Sequence, residues 1–127
     1  MTKYALDASA LLALLNEEEG CDVVLQALPS SIISSVNLSE VITILARDGM
    51  SEEYITSILK SLNLAVIPFD EKQGYSAGML YNKTKSKGLS FGDRACLSVA
   101  MKKETKVLTA DSAWYKLDCG VEIDFIR

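Results

Sequence analysis

Residues 3–16 read Lys-Tyr-Ala-Leu-Asp-Ala-Ser-Ala-Leu-Leu-Ala-Leu-Leu-Asn. Lys3–Leu6 suits a short strand, and the Ala- and Leu-rich stretch Ala8–Asn16 reads as a helix with Asp7 placed to cap it. Working outward, further β-like runs recur at Ser31–Ile33, Ala65–Pro68, Lys106–Thr109 and Glu122–Phe125, and most of the intervals between them carry helical patterns. Strands alternating with helices predict a mainly parallel sheet covered on both faces.

The helices have local reasons. Leu38, Val41, Ile42 and Leu45 follow the spacing of an apolar stripe, and Gly49 closes that helix. Ser51 caps the next, where Glu52 and Glu53 complement the dipole and Ile55, Ile58, Leu59 and Leu62 form the stripe. A helix from about Glu71 to Lys85 ends before Gly88, with Ala77, Leu80 and Tyr81 on one side. Phe91–Lys103 is apolar on nearly every side, which predicts a helix packed deep against the sheet.

At 127 residues, without repeats or a Pro/Gly-rich linker, the chain is expected to form one domain, 1–127. Its longest mainly apolar stretch, Ala5–Leu15, is broken by Asp7 and is shorter than the ~20 residues of a membrane span, so no membrane association is expected. The acidic run Glu17–Glu19 after it, with no small-residue cleavage site, argues against a signal peptide. Cys21, Cys96 and Cys119 form no C-x-x-C pair, and such scattered thiols predict a reduced, cytoplasmic protein. A net charge of −4 argues against a protein that coats nucleic acid, though not against a nuclease whose bound cations supply the positive charge.

Four acids stand out: Asp7, Glu40 in Asn37-Leu-Ser-Glu-Val, Asp93 in Ser90-Phe-Gly-Asp-Arg-Ala, and Asp111 in Val107-Leu-Thr-Ala-Asp-Ser. Taken singly, each has a capping explanation: Asp7 and Asp111 as N-caps, the other two phrases as a polar cap followed by an acid three residues later. Taken together, they have another. In a parallel sheet the residues that follow the strands emerge at one edge, where such folds bind ligands, so all four can converge there. Asp93 shares its helix face with Cys96, Leu97 and Ala100, and a carboxylate directed inward must be paired, protonated or bound to a cation.

The chain has no histidine. That excludes His–His nucleases, H-E-x-x-H zinc hydrolases, and Ser–His–Asp or Cys–His nucleophile systems. Clustered carboxylates suit Mg²⁺ or Mn²⁺, which act on a phosphodiester through an activated water. Ser9 and Thr109 lie two residues from Asp7 and Asp111, positioned either to orient carboxylates or to serve as ordinary helix and strand residues.

With these phrases in place, the chain resembles the PIN domains, most closely the small toxin ribonucleases of the VapC type, in four motifs in the family's order over nearly its whole length. The resemblance implies a three-layer α/β/α sandwich. It also implies a Mg²⁺- or Mn²⁺-dependent endoribonuclease, an antitoxin protein encoded beside it, and a homodimer. The family's acidic positions carry over to Asp7, Glu40, Asp93 and Asp111, and its frequent hydroxyl positions to Ser9 and Thr109. Asp7, Glu40 and Asp93 are then expected to hold the principal metal, with Asp111 bound through water or completing a weaker second site. Some relatives have a further acid where this chain has Ala113, a departure that bears on the second metal position. Mutual repulsion of the acids is expected to raise the pKa of one of them.

For RNA contact, the basic segment Lys83, Lys85 and Lys87 with Arg94 is the best candidate, beside its alternative as a solvated helix end. Tyr81 and Trp114 are more suited to core packing than to base stacking. Leu11, Leu12, Leu15, Val24, Leu25 and Leu28 either pack within the monomer or hold a partner helix. Among rivals, a haloacid-dehalogenase-like phosphatase lacks its second aspartate, since Ser9 stands there, and a response-regulator receiver lacks its acidic pair. The alternative from another class is an inactive binding module whose acidic pocket docks an arginine of a partner.

Overall fold

The structure is a computed structural model describing all of residues 1–127. Its strands are β1 (Tyr4–Leu6), β2 (Ser31–Ser34), β3 (Ala65–Ile67), β4 (Lys106–Thr109) and β5 (Ile123–Phe125). The helices are α1 (Ala8–Leu15), α2 (Cys21–Ala27), α3 (Ser35–Arg47), α4 (Glu52–Ser61), α5 (Glu71–Met79), α6 (Tyr81–Thr84) and α7 (Phe91–Lys103). The sheet order is β3-β2-β1-β4-β5 and every pairing is parallel, with Leu6 opposite Ile33 on one side and Leu108 on the other.

Alternation along these strands divides the core. Ala5, Ile32 and Val107 face α7, with Cys96, Leu97, Val99, Ala100 and Trp114 packed on them. Leu6 and Leu108 face the opposite way onto Ala10, Ala13, Val24 and Ala27, and Ile33 joins Leu11, Val41, Leu45 and Ile55. Helices α1–α4 therefore cover one face and α5–α7 the other, giving the expected three-layer α/β/α sandwich. No helix is long and apolar enough to cross a membrane.

The expected helix from Glu71 to Lys85 is instead three pieces. It breaks at Leu80, where ψ is −10°, and resumes as α6 and a 3-10 turn, Lys85–Lys87. Gly74 and Gly78 weaken α5, and the Thr84 hydroxyl bonds back to the Leu80 carbonyl at 2.9 Å. The break turns Tyr81 outward, 54% exposed, whereas Trp114 packs in the core at 1%. Of the apolar set on the early helices, Leu11 and Val24 are buried and only Leu25 is exposed, so the set packs largely within the monomer. An apolar groove of about 730 Å³ opens elsewhere, between α3 and α4, lined by Leu38, Ile42, Met50, Ile55 and Leu59.

Candidate active site

Strand β1 ends at Leu6, and Asp7 still donates its backbone N–H to the Leu108 carbonyl before the chain turns into α1. Asp7 is 2% exposed. Its Oδ1 accepts from the Ser9 hydroxyl at 2.7 Å and the Ala10 N–H at 2.9 Å, and its Oδ2 accepts from the Thr109 hydroxyl. Ser9 Oγ accepts from the Ala110 N–H at 2.9 Å, and Thr109 Oγ1 from the Asp111 N–H at 3.0 Å. Two hydroxyls thus tie the end of β1 to the end of the neighbouring β4 around one carboxylate.

Asp93 stands in the first turn of α7. Its Oδ2 accepts from the Ser90 N–H at 2.9 Å, while Ser90 Oγ accepts from the Asp93 N–H at 3.2 Å. Asp111 accepts from the Ala113 N–H at 2.9 Å at the start of a 3-10 turn. These acids, like Asp7, do cap helical starts, so capping and a place on the carboxyl edge of the sheet coexist.

Glu40 departs from the capping reading. Helix α3 begins at Ser35, capped by Ser34, so Asn37 lies in its first turn and Glu40 in its second. The Glu40 carboxylate instead accepts from Asn37 Nδ2 at 2.9 Å, and the same amide nitrogen donates to the Gly92 carbonyl at 2.9 Å. Asn37 and Gly92 are contributors that sequence reading missed. The only local signal was the three-residue spacing of Asn37 and Glu40, which looks alike for a cap and for a helix face.

The electrostatics describe a site short of positive charge. Burial pushes Asp7 from its ordinary 3.8 up to about 6, against the lowering pull of its hydrogen bonds from Thr109, Ser9 and Ala10, and the Asp93 charge adds to the rise. Asp93 is raised by burial first, then by Asp111. The expected repulsion is present, but loss of water is the larger cause in both. Cys96, one turn below Asp93, is fully buried, and its thiol is pushed far up by burial with the charges of Asp7, Asp93 and Glu40 adding. It stays a neutral thiol beneath three acids.

None of the four acids makes a salt bridge. Arg94 donates to the Ala77 carbonyl at 3.2 Å and lies 5.7 Å from the centre of the Tyr81 ring, engaging α5 and α6 rather than any of the acids. Lys83, Lys85 and Lys87 are exposed on α6 and the turn after it. No three acid or thiol groups stand in a ready-made cage for a metal ion. The donor set nevertheless fits a hard divalent cation: it is all oxygen, none of its members has a salt-bridge partner, and burial makes the charge on Asp7 costly until a cation offsets it.

A parallel α/β/α domain with unpaired carboxylates at the carboxyl edge of its sheet defines the class of fold and site. The chain belongs to the PIN domain family, whose sequence profile matches residues 4–119. No curated protein sequence matches the chain. Among solved structures it is similar to DNA-bound VapBC from Salmonella typhimurium, at 19% identity and a TM-score of 0.78 over 100% of both chains. It is also similar to VapBC2 from Rickettsia felis bound to a promoter DNA fragment, at 18% and 0.76 over 98% of both. A third likeness is to VapBC-5 from Mycobacterium tuberculosis, a member of the VapBC family of toxin-antitoxin systems, at 20% and 0.63 over 100% of this chain and 99% of that one.

Proposed function

We propose that this protein is a Mg²⁺- or Mn²⁺-dependent endoribonuclease that hydrolyses RNA phosphodiester bonds, the toxin of a toxin–antitoxin pair acting in the cytoplasm as a homodimer. The observation that supports this reading is that Asp93 raises Asp7, Asp111 raises Asp93, and Glu40 acts with Asp7 and Asp93 on Cys96, while none of the four acids has a salt-bridge partner, in a PIN domain. The likeness to proteins named as VapBC supports the antitoxin partner, for which the apolar groove between α3 and α4 offers a surface.

Asp7, Glu40 and Asp93 would hold the cation, with Asp111 beside Asp93. When bound, a divalent ion lowers the pKa of water and neutralises charge on a phosphodiester under in-line attack. The chain's own residues set the stage. Ser9 and Thr109 fix the orientation of Asp7, and Ser90 does the same for Asp93. Lys83, Lys85 and Lys87 supply charge for backbone phosphates. Replacing these three with Gln is expected to weaken RNA binding and flatten its salt dependence by up to about three in the log–log slope. Binding measured across a salt series tests this, and an unchanged slope removes the segment from the RNA path.

The decisive experiment incubates purified, antitoxin-free protein with a mixed RNA pool, with Mn²⁺, Mg²⁺ or chelator. Discrete fragments that vanish with chelator are expected. Folded protein that neither cleaves RNA nor binds metal by calorimetry would overturn the nuclease reading in favour of a module whose acidic pocket docks an arginine.

A further inference from the structure

We infer that Asn37 and Gly92 together form a positioning device for Glu40, holding its carboxylate in register with Asp93 across the two helical layers. The inference rests on the nuclease reading of the acidic edge. Asn37 is 1% exposed, and its amide nitrogen, with two hydrogens to give, donates to Glu40 Oε1 and to the Gly92 carbonyl, both at 2.9 Å. That donation is the only side-chain hydrogen bond between α3 and α7, and it joins residues 55 apart in sequence. Asn37 is also the only hydrogen-bond partner of the Glu40 carboxylate, which has no salt bridge. A glutamate side chain otherwise free to rotate is thereby aimed by a single amide.

Gly92 supports this independently. Its φ is not in the left-handed region, and it sits inside α7, where alanine is the better helix former, so the backbone does not ask for glycine. A Cβ at 92 would instead fall on the Glu40 carboxyl group. That group is the far end of a flexible side chain, so adding the methyl displaces the carboxylate without breaking the fold. The absent side chain is the space in which Glu40 rests. Asn37 bonds the Glu40 carboxylate while Gly92 leaves room for it, and the carbonyl of Gly92 lies one residue before Asp93.

The test uses Asn37→Ala and Gly92→Ala, each alone and in a Glu40→Gln background. It reads Mn²⁺ affinity by calorimetry without RNA, melting temperature without metal, and kcat and KM on RNA. Each single variant should lose on the order of 10–100-fold in Mn²⁺ affinity and in kcat, with KM for RNA little changed. Gly92→Ala should melt no lower than the parent. In the Glu40→Gln background neither should reduce Mn²⁺ affinity further, because the group they act through is gone. Equal losses in both backgrounds, or parental Mn²⁺ affinity in Gly92→Ala, would overturn the device. Should Asn37→Ala fail to fold, Gly92→Ala decides alone, since it leaves the amide intact. A parent protein that binds no Mn²⁺ overturns the nuclease reading and the device together, whereas a parent that binds it beside unaffected variants overturns only the device.

Discussion

Asp93→Asn is expected to cut RNA cleavage on the order of 10³-fold or more while leaving stability within about 1 kcal/mol of the parent. The first half follows from the loss of a charged ligand, a larger insult than the 10–100-fold typical of losing a group that only orients one. The second half follows from competing local effects. An asparagine oxygen can still accept from the Ser90 N–H, so the cap at the head of α7 survives. The negative charge is favourable toward the helix dipole by about 0.3–1 kcal/mol. Burial and Asp111 oppose that charge and raise Asp93 above its ordinary value, so its removal also brings relief that offsets part of the lost dipole interaction. Cleavage gels paired with urea unfolding check both halves. An unfolded variant would make Asp93 a structural cap alone, and full activity would exclude it from the site.

Asp7→Asn should stabilise the metal-free protein at pH 7 by about 2 kcal/mol. The folded-state value of about 6 lies above the ordinary 3.8, so the folded protein holds this proton more tightly than the unfolded chain. The resulting stabilisation is complete below pH 3.8 and is lost as pH rises through about 6; it amounts to about 3 kcal/mol. Asparagine escapes that loss at neutral pH, at a cost of about 1 kcal/mol for weakened bonds to Ser9, Ala10 and Thr109. A net 2 kcal/mol raises the melting temperature by roughly 6–10 °C in a domain of this size. The advantage should shrink toward pH 4. Added Mn²⁺ should stabilise the parent and not the variant, because only the parent binds it. Melting curves over that pH range, with and without Mn²⁺, test the account. A variant less stable than the parent by an amount independent of pH would contradict it.

How far the sequence was legible varies by residue. Val41 and Leu45 are buried where the apolar stripe of α3 predicts, and α7 has the bounds its pattern gave. Asp7 and Asp111 emerge at one edge because β1 and β4 are parallel neighbours, which the alternation of strands and helices foretold only in outline. Tyr81 was misjudged because the helix carrying it breaks at Leu80, an outcome of weak propensity and back-bonding rather than of periodicity. Arg94 is adjacent to Asp93 in sequence yet is held by Ala77 and Tyr81, because one step along a helix turns a side chain by about 100°.

By itself the sequence determined the alternating elements, the absence of histidine chemistry and three of the four acids, Asp7, Asp93 and Asp111, at the heads of helical turns, since these depend on near neighbours and on periods of two and 3.6 residues. The tertiary structure decided which hydroxyls grip Asp7, how deeply burial raises its pKa, and that Asn37 and Gly92, 55 residues apart, enclose Glu40. Those outcomes depend on how separate layers pack and on where water is excluded, and such long-range contacts leave no period in the chain for a local reading to find.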